Sequence, residues 1–348
     1  AACGSEPPPA PLPPPPPAAP PAPVVAPEPA KPVEPTAEEK KKAADAKQLE
    51  DDRATWEGEN KAEIARWTPE LHAAAKALAS KTFPNGKAAI QAAVASKTRK
   101  AANAERDKSR HPVETLEFFG FKPTMTVLDV GPGEGWYTEI LAPVLAQKGK
   151  YMATNNDPNG PVDQRTTLTG QKWAGFLAAS PEAYGKVETL IVDGKAPKLG
   201  HEGSTDLVIV MRAVHGMVNN GTLPAWLAEI KSVLKPGGVL GIEEHRAPVG
   251  ANAAETSKKG YVPEAYVIEQ AEAAGFKLAG KSEINANPKD TKDYAEGVWT
   301  LPPTFRLKDK DHDKYAAIGE SDRMTLKFVK VATPASKPAA PATPAPKK

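Results

Sequence analysis

Cysteine is almost missing from this 348-residue chain, where Cys3 stands alone. A single thiol excludes an internal disulfide and a cysteine-built metal centre. An excess of one charge sign is missing too: 45 basic residues meet 43 acidic ones and leave a formal charge of +2. That balance gives no broad basic surface to neutralise nucleic-acid phosphates, so nucleic acid is not an expected partner. Long apolar runs are absent as well, and no segment approaches the roughly 20 residues of a membrane-spanning helix. Aromatic residues make up only 6%, but a hydrophobic fraction of 40% suffices for one large domain or two small ones.

Proline is plentiful and concentrated at the ends. Of 38 prolines, 16 fall in the first 35 residues and five lie from Pro334 onward. Residues 1–36 therefore read as a disordered spacer of polyproline-II type, because proline fixes φ and donates no backbone hydrogen bond. Residues 332–348 read as a second disordered tail. The start Ala1-Ala2-Cys3-Gly4-Ser5 resembles the mature end of a bacterial lipoprotein, which would place a lipid on Cys3 and the chain in the cell envelope facing the periplasm. A chance cysteine in a disordered tail is the other reading. Membrane contact is expected through this anchor only.

Residues 37–108 are rich in Ala, Lys and Glu, with apolar residues thinly placed, and read as helices with narrow apolar stripes and no chemistry of their own. Thr68-Pro69-Glu70 marks a helix start and Pro84-Asn85-Gly86 a break. From residue 109 to 331 the pattern changes. Strands at 126–130, 150–154, 187–192, 206–211 and 239–243 alternate with helices at 136–145 and 224–234. A helix near 264–274 and strands at 276–283 and 323–331 close the series. This predicts an α/β fold: a Rossmann-like, doubly wound, mostly parallel sheet of about seven strands with a C-terminal antiparallel pair, preceded by a helical extension. Ligands of such sheets sit at the carboxyl ends of the strands.

The most informative segment is Asp129-Val130-Gly131-Pro132-Gly133-Glu134-Gly135-Trp136-Tyr137. An apolar run breaks into alternating glycines and then into helix-forming sequence. Glycines at a strand mouth allow a sharp turn and a close backbone approach, and the amides of Gly133, Glu134 and Gly135 are expected to face a ligand carboxylate. The dinucleotide fingerprint would need glycine where Trp136 stands, which weakens a hydride-transfer reading.

With these residues in place, the stretch from about 110 to 330 resembles a class I S-adenosylmethionine-dependent methyltransferase. The glycine loop is similar to the family's first motif. Asp193 closes the third strand, Asp206 to His215 run into a substrate-facing loop, and Leu234-Lys235-Pro236-Gly237-Gly238 precede the fifth strand. The segments Glu139 to Pro143, Glu244-His245-Arg246 and Ala273 to Phe276 resemble, more narrowly, a group of predicted exported methyltransferases. The resemblance implies S-adenosylmethionine as cofactor, held by Asp129, Gly131, Gly133, Glu134 and Gly135. It also implies Asn155 at the ribose, where the family usually has an acid and where Asp157 is an alternative, and Asp193 near the adenine. Asp193 reads equally well as a turn aspartate before Gly194.

Methyl transfer needs alignment and exclusion of water more than an elaborate triad, and a base assists when the acceptor is a hydroxyl or amine. His215 and His245 fall at strand ends facing the ligand and are the candidate catalytic residues; each could instead be a structural histidine. Arg212 would contact the cofactor or an anionic substrate, or form an internal ion pair. Trp136, Tyr137 and Glu244 are placed at the substrate pocket. Asp309, Asp311, Asp313 and Glu320 have calcium-loop spacing, but Lys314 replaces the required glycine, so no metal is assigned. Methyl transfer to a small or modest-sized acceptor is the leading function. A non-catalytic, lipid-anchored module of the same fold is the alternative.

Overall fold

The structure, a computed structural model, describes residues 36–331 together with Pro14. Cys3 with its expected lipid, most of the proline-rich spacer and the tail from residue 332 lie outside the described residues. Two compact units, Ala1–Asp45 and Ala46–Lys348, divide the chain. Helix α1 (Ala37–Arg66), whose first turns belong to the first unit, opens with a reciprocal cap. The Glu39 amide donates to Thr36 Oγ1 and the Thr36 amide to the Glu39 carboxylate.

In the second unit, α2 (Pro69–Ala79) starts where Thr68 caps the Leu71 amide and proline occupies the first turn. Asn85 caps α3 (Gly86–Val94) in the same way. Two short helices, α4 (Ala101–Ala104) and α5 (Asp107–Arg110), lead into α6 (Pro112–Phe119), which Gly120 ends in the left-handed conformation. The strands are β1 (Thr126–Val130), β2 (Lys150–Asn155), β3 (Glu188–Ile191), β4 (Thr205–Met211), β5 (Leu234–His245), β6 (Phe276–Ser282) and β7 (Arg323–Lys330). They form one sheet in the order β3-β2-β1-β4-β5-β7-β6, with only β7 antiparallel to its neighbours. Helix α7 (Thr138–Leu145) follows β1, and α8 (Arg165–Ala178), which the strand-to-strand sequence reading passed over, joins β2 to β3.

The period-two alternation of strand residues splits the core between the two sheet faces. Val127, Leu207, Ile209 and Met211 join Ala89, Ile90, Leu116, Phe119 and Ile140 in one cluster. Leu128, Val130, Val208, Val210 and Ile242 join Trp226, Leu227, Ile230 and Val267 in the other. The helices at 69–94 thus bury apolar side chains with the sheet instead of standing free.

Strand order reverses at β1. The chain moves outward through β2 and β3, then returns to place β4 on the other side of β1. Nothing can pack over the gap between connections that leave in opposite directions, so a crevice opens at the carboxyl ends of β1 and β4. Antiparallel β7 brings Arg323 opposite His245 and Thr325 opposite Glu243, which carries residues 320–323 to the same edge.

Candidate active site

The crevice is a cleft of about 390 Å³. Its walls come from the loop after β1 (Gly131, Pro132, Gly133, Glu134, Trp136, Tyr137), the end of β4 (Met211, Arg212, Ala213, His215) and His245 of β5. Asn103, Arg106 and Arg110 contribute from the helical region, and Val298, Trp299, Pro302, Pro303, Thr304, Glu320 and Ser321 from the β6–β7 connection.

Gly131, Gly133 and Gly135 all adopt positive φ, at 76°, 59° and 85°, which explains why glycine recurs at every second position. A side chain at Gly133 would meet nothing within 4 Å, so the tip of the loop is open. Gly135 differs: its amide donates to Pro132 O at 3.1 Å, and a Cβ there would strike Phe176. It shapes the turn and does not line the cleft, contrary to the cofactor contact expected of it. Among the described residues the amides of Gly133 and Glu134 meet no acceptor.

Asp129 ends the strand beneath this loop and is buried. One carboxylate oxygen accepts from Tyr151 OH at 2.8 Å, while Oδ1 has no partner among the described residues. Burial pushes its carboxyl up to about 7, with the Tyr151 hydrogen bond and Arg212 acting in the opposite sense. Such a group gains from an arriving cation.

Arg212 has φ 58°, a left-handed conformation that disfavours a residue with a Cβ by roughly 1 kcal/mol or more. Glu243 holds it there twice, through its carbonyl to the Arg212 amide and through Oε1 to Nη1 at 2.9 Å. Glu243, wholly buried, also forms an ion pair with Arg323, whose Nε lies 2.8 Å from Oε1 without hydrogen-bond geometry, and accepts from Tyr137 OH at 3.4 Å. Glu320 takes Arg110, Arg106 and Arg323 at 2.9, 3.2 and 2.8 Å. Burial works against its charge, but Arg110, Arg323 and Arg212 overcome this and hold the carboxyl at about 2. Glu320 is therefore committed to arginines and is unavailable for the calcium-like spacing noted in the sequence.

Next to this network lie the two candidate catalytic histidines. Glu244, expected at the pocket wall, is instead fully buried behind them: it accepts from the His215 amide at 3.0 Å and the His245 amide at 2.8 Å, and its Oε1 lies 3.1 Å from His215 Nδ1. Burial depresses His215, yet the Glu244 carboxylate outweighs it and raises the histidine. His245 is lowered well below the usual range by burial, then by His215 and the arginines; its Nδ1 lies 2.5 Å from Ser321 Oγ. Ring centroids of the pair are 5.7 Å apart, and Trp299 meets His215 edge-on. The ligand atoms of His215, Glu244 and His245 lie within 4.8 Å of one another, the described residues best placed to share a metal ion. Both Nδ1 atoms are engaged as above, and the arginines alongside oppose an added cation.

Trp136 and Tyr137 reach the cleft wall while remaining mostly buried, and Trp136 Nε1 donates to Asn103 O at 2.9 Å. Asn155 and Asp193 do not line the cleft. The Asn155 side-chain oxygen accepts from the Asn156 amide, and Asp193 accepts from the Lys195 amide as a turn aspartate does. Asp157 is similarly turned onto the Asn159 amide.

Sequence reading missed Asn103, Arg106 and Arg110, having seen no chemistry in the helical segment, as well as Trp299, Glu320 and Ser321. The signal was present in part: Arg106 and Arg110 are four residues apart and so share a helix face when the segment is helical. Between them, Asp107 accepts from the buried Arg99 at 2.9 Å.

A glycine-rich loop after the first strand, beside a strand-order reversal in a 3-2-1-4-5-7-6 sheet, defines the class I methyltransferase fold. A family model described as "Methyltransferase domain" matches residues 104–278, about half of the chain, and the chain belongs to that family. Membership implies an enzyme with S-adenosylmethionine as its cofactor. Among curated relatives, the ribosomal RNA large subunit methyltransferase E of Acidithiobacillus ferrooxidans is 34% identical over 86 residues, 24% of this chain and 39% of that protein. Its namesake from Stutzerimonas stutzeri is 27% identical over 119 residues, 34% of this chain and 53% of that protein. The match thus spans less than two thirds of either relative. Among solved structures, a SAM-dependent methyltransferase from Aquifex aeolicus is 20% identical, covering 65% of this chain and 93% of that one with a TM-score of 0.43. The [4+2]-cyclase SpnF is 16% identical, covering 73% and 98%, with a TM-score of 0.45.

Proposed function

We propose that this protein transfers a methyl group from S-adenosylmethionine to a small acceptor bound in the cleft at the ends of β1, β4 and β5. One observation carries the reading: the open loop at Gly133 lines the same cleft as Asp129, whose buried Oδ1 lacks a partner among the described residues. Free amides at Gly133 and Glu134 suit a carboxylate, and the orphaned oxygen of Asp129 suits an ammonium, so the loop fits the amino-acid end of the cofactor. When bound, S-adenosylmethionine supplies a methyl group activated by its sulfonium.

The protein's own part is alignment, exclusion of water and handling of one proton. Glu244 fixes the ring of His215 through Nδ1, leaving Nε2 as the atom that can exchange a proton with an acceptor. His245, kept neutral by burial, gives the same wall a second nitrogen. Groups whose environments separate their titrations in this way are suited to opposite acid and base duties. A non-catalytic binding module would need no buried carboxylate committed to orienting a histidine. The cleft volume and the cover from Val298, Trp299 and Thr304 favour a small acceptor over the ribosomal RNA named for the relatives.

Calorimetry with S-adenosylhomocysteine on the full chain tests the reading. Binding in the micromolar to low millimolar range is expected. No heat at saturating concentration, with the protein folded, would sink it.

A further inference from the structure

We infer that Arg106, Arg110 and Arg212 form an anion subsite of the cleft, and that the methyl acceptor carries a carboxylate or phosphate group that docks on it. The word acceptor rests on the proposed methyl transfer; the anion subsite does not.

Arg106, Arg110 and Arg323 converge on Glu320, and Arg212 and Arg323 on Glu243, so four guanidinium groups share two carboxylates. Both carboxylates are already crowded with donors. Among the described residues, the terminal nitrogens of Arg106 and Arg110 and Nη2 of Arg212 have no hydrogen-bond partner, and all three residues line the cleft. Arg110 is the most telling, since its side chain is only 3% exposed.

The other titratable groups on these walls do not cancel the surplus. Asp129, hydrogen-bonded to Tyr151, acts through space on Arg212, and Glu134, exposed at the rim, on Arg106, but among the described residues neither forms an ion pair with an arginine. His215 is matched by Glu244, and His245 is held neutral. A buried surplus of positive charge is unfavourable until an anion reaches it. Burial, then the neighbouring Arg212, pull Arg110 down to about 9, as that imbalance requires. Planar guanidinium forks with free terminal nitrogens match the oxygen pairs of a carboxylate or phosphate. The cofactor's own carboxylate is the alternative source of that chemistry, but the free amides of Gly133 and Glu134 already provide for it. Arg212 lies three residues from His215, so an anion held here keeps the rest of the acceptor on the histidine wall.

The test is calorimetric titration of the full chain with inorganic phosphate, and separately with acetate, alone and with S-adenosylhomocysteine at saturation. Phosphate is expected to bind in both conditions, with Arg110→Met and Arg106→Gln each weakening it about tenfold while affinity for S-adenosylhomocysteine is unchanged. Arg106 is a quarter exposed, so its variant keeps the test available if Arg110→Met does not fold. Three results overturn the inference: no phosphate binding, binding that vanishes once S-adenosylhomocysteine is present, or variants that bind phosphate like the parent. If phosphate binds but S-adenosylhomocysteine does not, methyl transfer falls and with it the anion's assignment to an acceptor, a failure distinct from loss of the anion site.

Discussion

The carboxyl edge of the sheet has two halves built on different plans. At β1, β4 and β5, side chains from Arg106 to Arg323, more than 200 residues apart in the chain, meet in one buried network. At β2 and β3, Asn155, Asp157 and Asp193 each spend an oxygen on a backbone amide within two residues. The first half is preorganised, because its groups are held by partners that cannot relax independently. The second half is local turn chemistry and stays adaptable. Specific chemistry therefore belongs to the first half, and the second can contribute only what a ligand draws out of it.

The sharpest way to break this contrast is to remove a carboxylate from the network. Glu320→Gln leaves Arg110 and Arg323 buried without that counter-charge and is expected to lower unfolding stability by about 3–5 kcal/mol in urea denaturation. A loss below about 1 kcal/mol would mean that the arginines are already compensated by solvent.

Asp129→Asn comes next and has opposite effects on stability and binding. The sign follows from a folded carboxyl at about 7 against an unfolded value of 3.8. As pH rises from about 4 to 7 the unfolded chain gives up this proton first, so stability falls over that window; below it no penalty remains. Asparagine removes the penalty, so the variant should exceed the parent by roughly 2–4 kcal/mol above pH 7, while binding S-adenosylhomocysteine at least tenfold more weakly. Thermal unfolding at pH 5 and pH 8 reads the first effect. A variant with unaltered affinity would remove Asp129 from the cofactor site.

Glu244→Gln probes the histidine wall. Because Glu244 raises His215, the pair adds stability that is complete below the unfolded histidine value near 6.5 and is lost as pH rises through the folded one. The variant should move the His215 titration, followed by NMR, to lower pH. With any acceptor that supports turnover, kcat should drop about a hundredfold with little change in KM. An unmoved titration would show that another group sets the His215 proton.

The first half was also the harder one to read in the sequence. Strand and helix positions were legible because apolar period and turn punctuation are local properties: β1, the helix start at Thr68 and the break at Pro84-Asn85-Gly86 all fall where the residues suggest. The glycine loop was legible for the same reason. Arg110, Glu320 and Ser321 were not, since their significance arises only when β7 runs antiparallel to β5 and sets residues 320–323 beside His245. Glu320 was even misleading, its spacing suggesting a calcium loop while two of its three arginine partners, Arg106 and Arg110, lie 214 and 210 residues away.

The smallest expected effect lies in the other half. In Asn155→Asp the side-chain oxygen can keep the Asn156 amide while its second oxygen, now part of a carboxylate, becomes free to accept from a ribose hydroxyl. Hydrogen bonds to a charged acceptor are worth about 1.5–3 kcal/mol when well placed, but the half-buried setting and the existing local bond reduce the gain. An increase of about three- to tenfold in affinity for S-adenosylhomocysteine is expected, with stability nearly unchanged. An unchanged affinity would mean that the β2 end stays turned onto its own backbone even with ligand present, and that the β1–β4–β5 wall alone holds the cofactor.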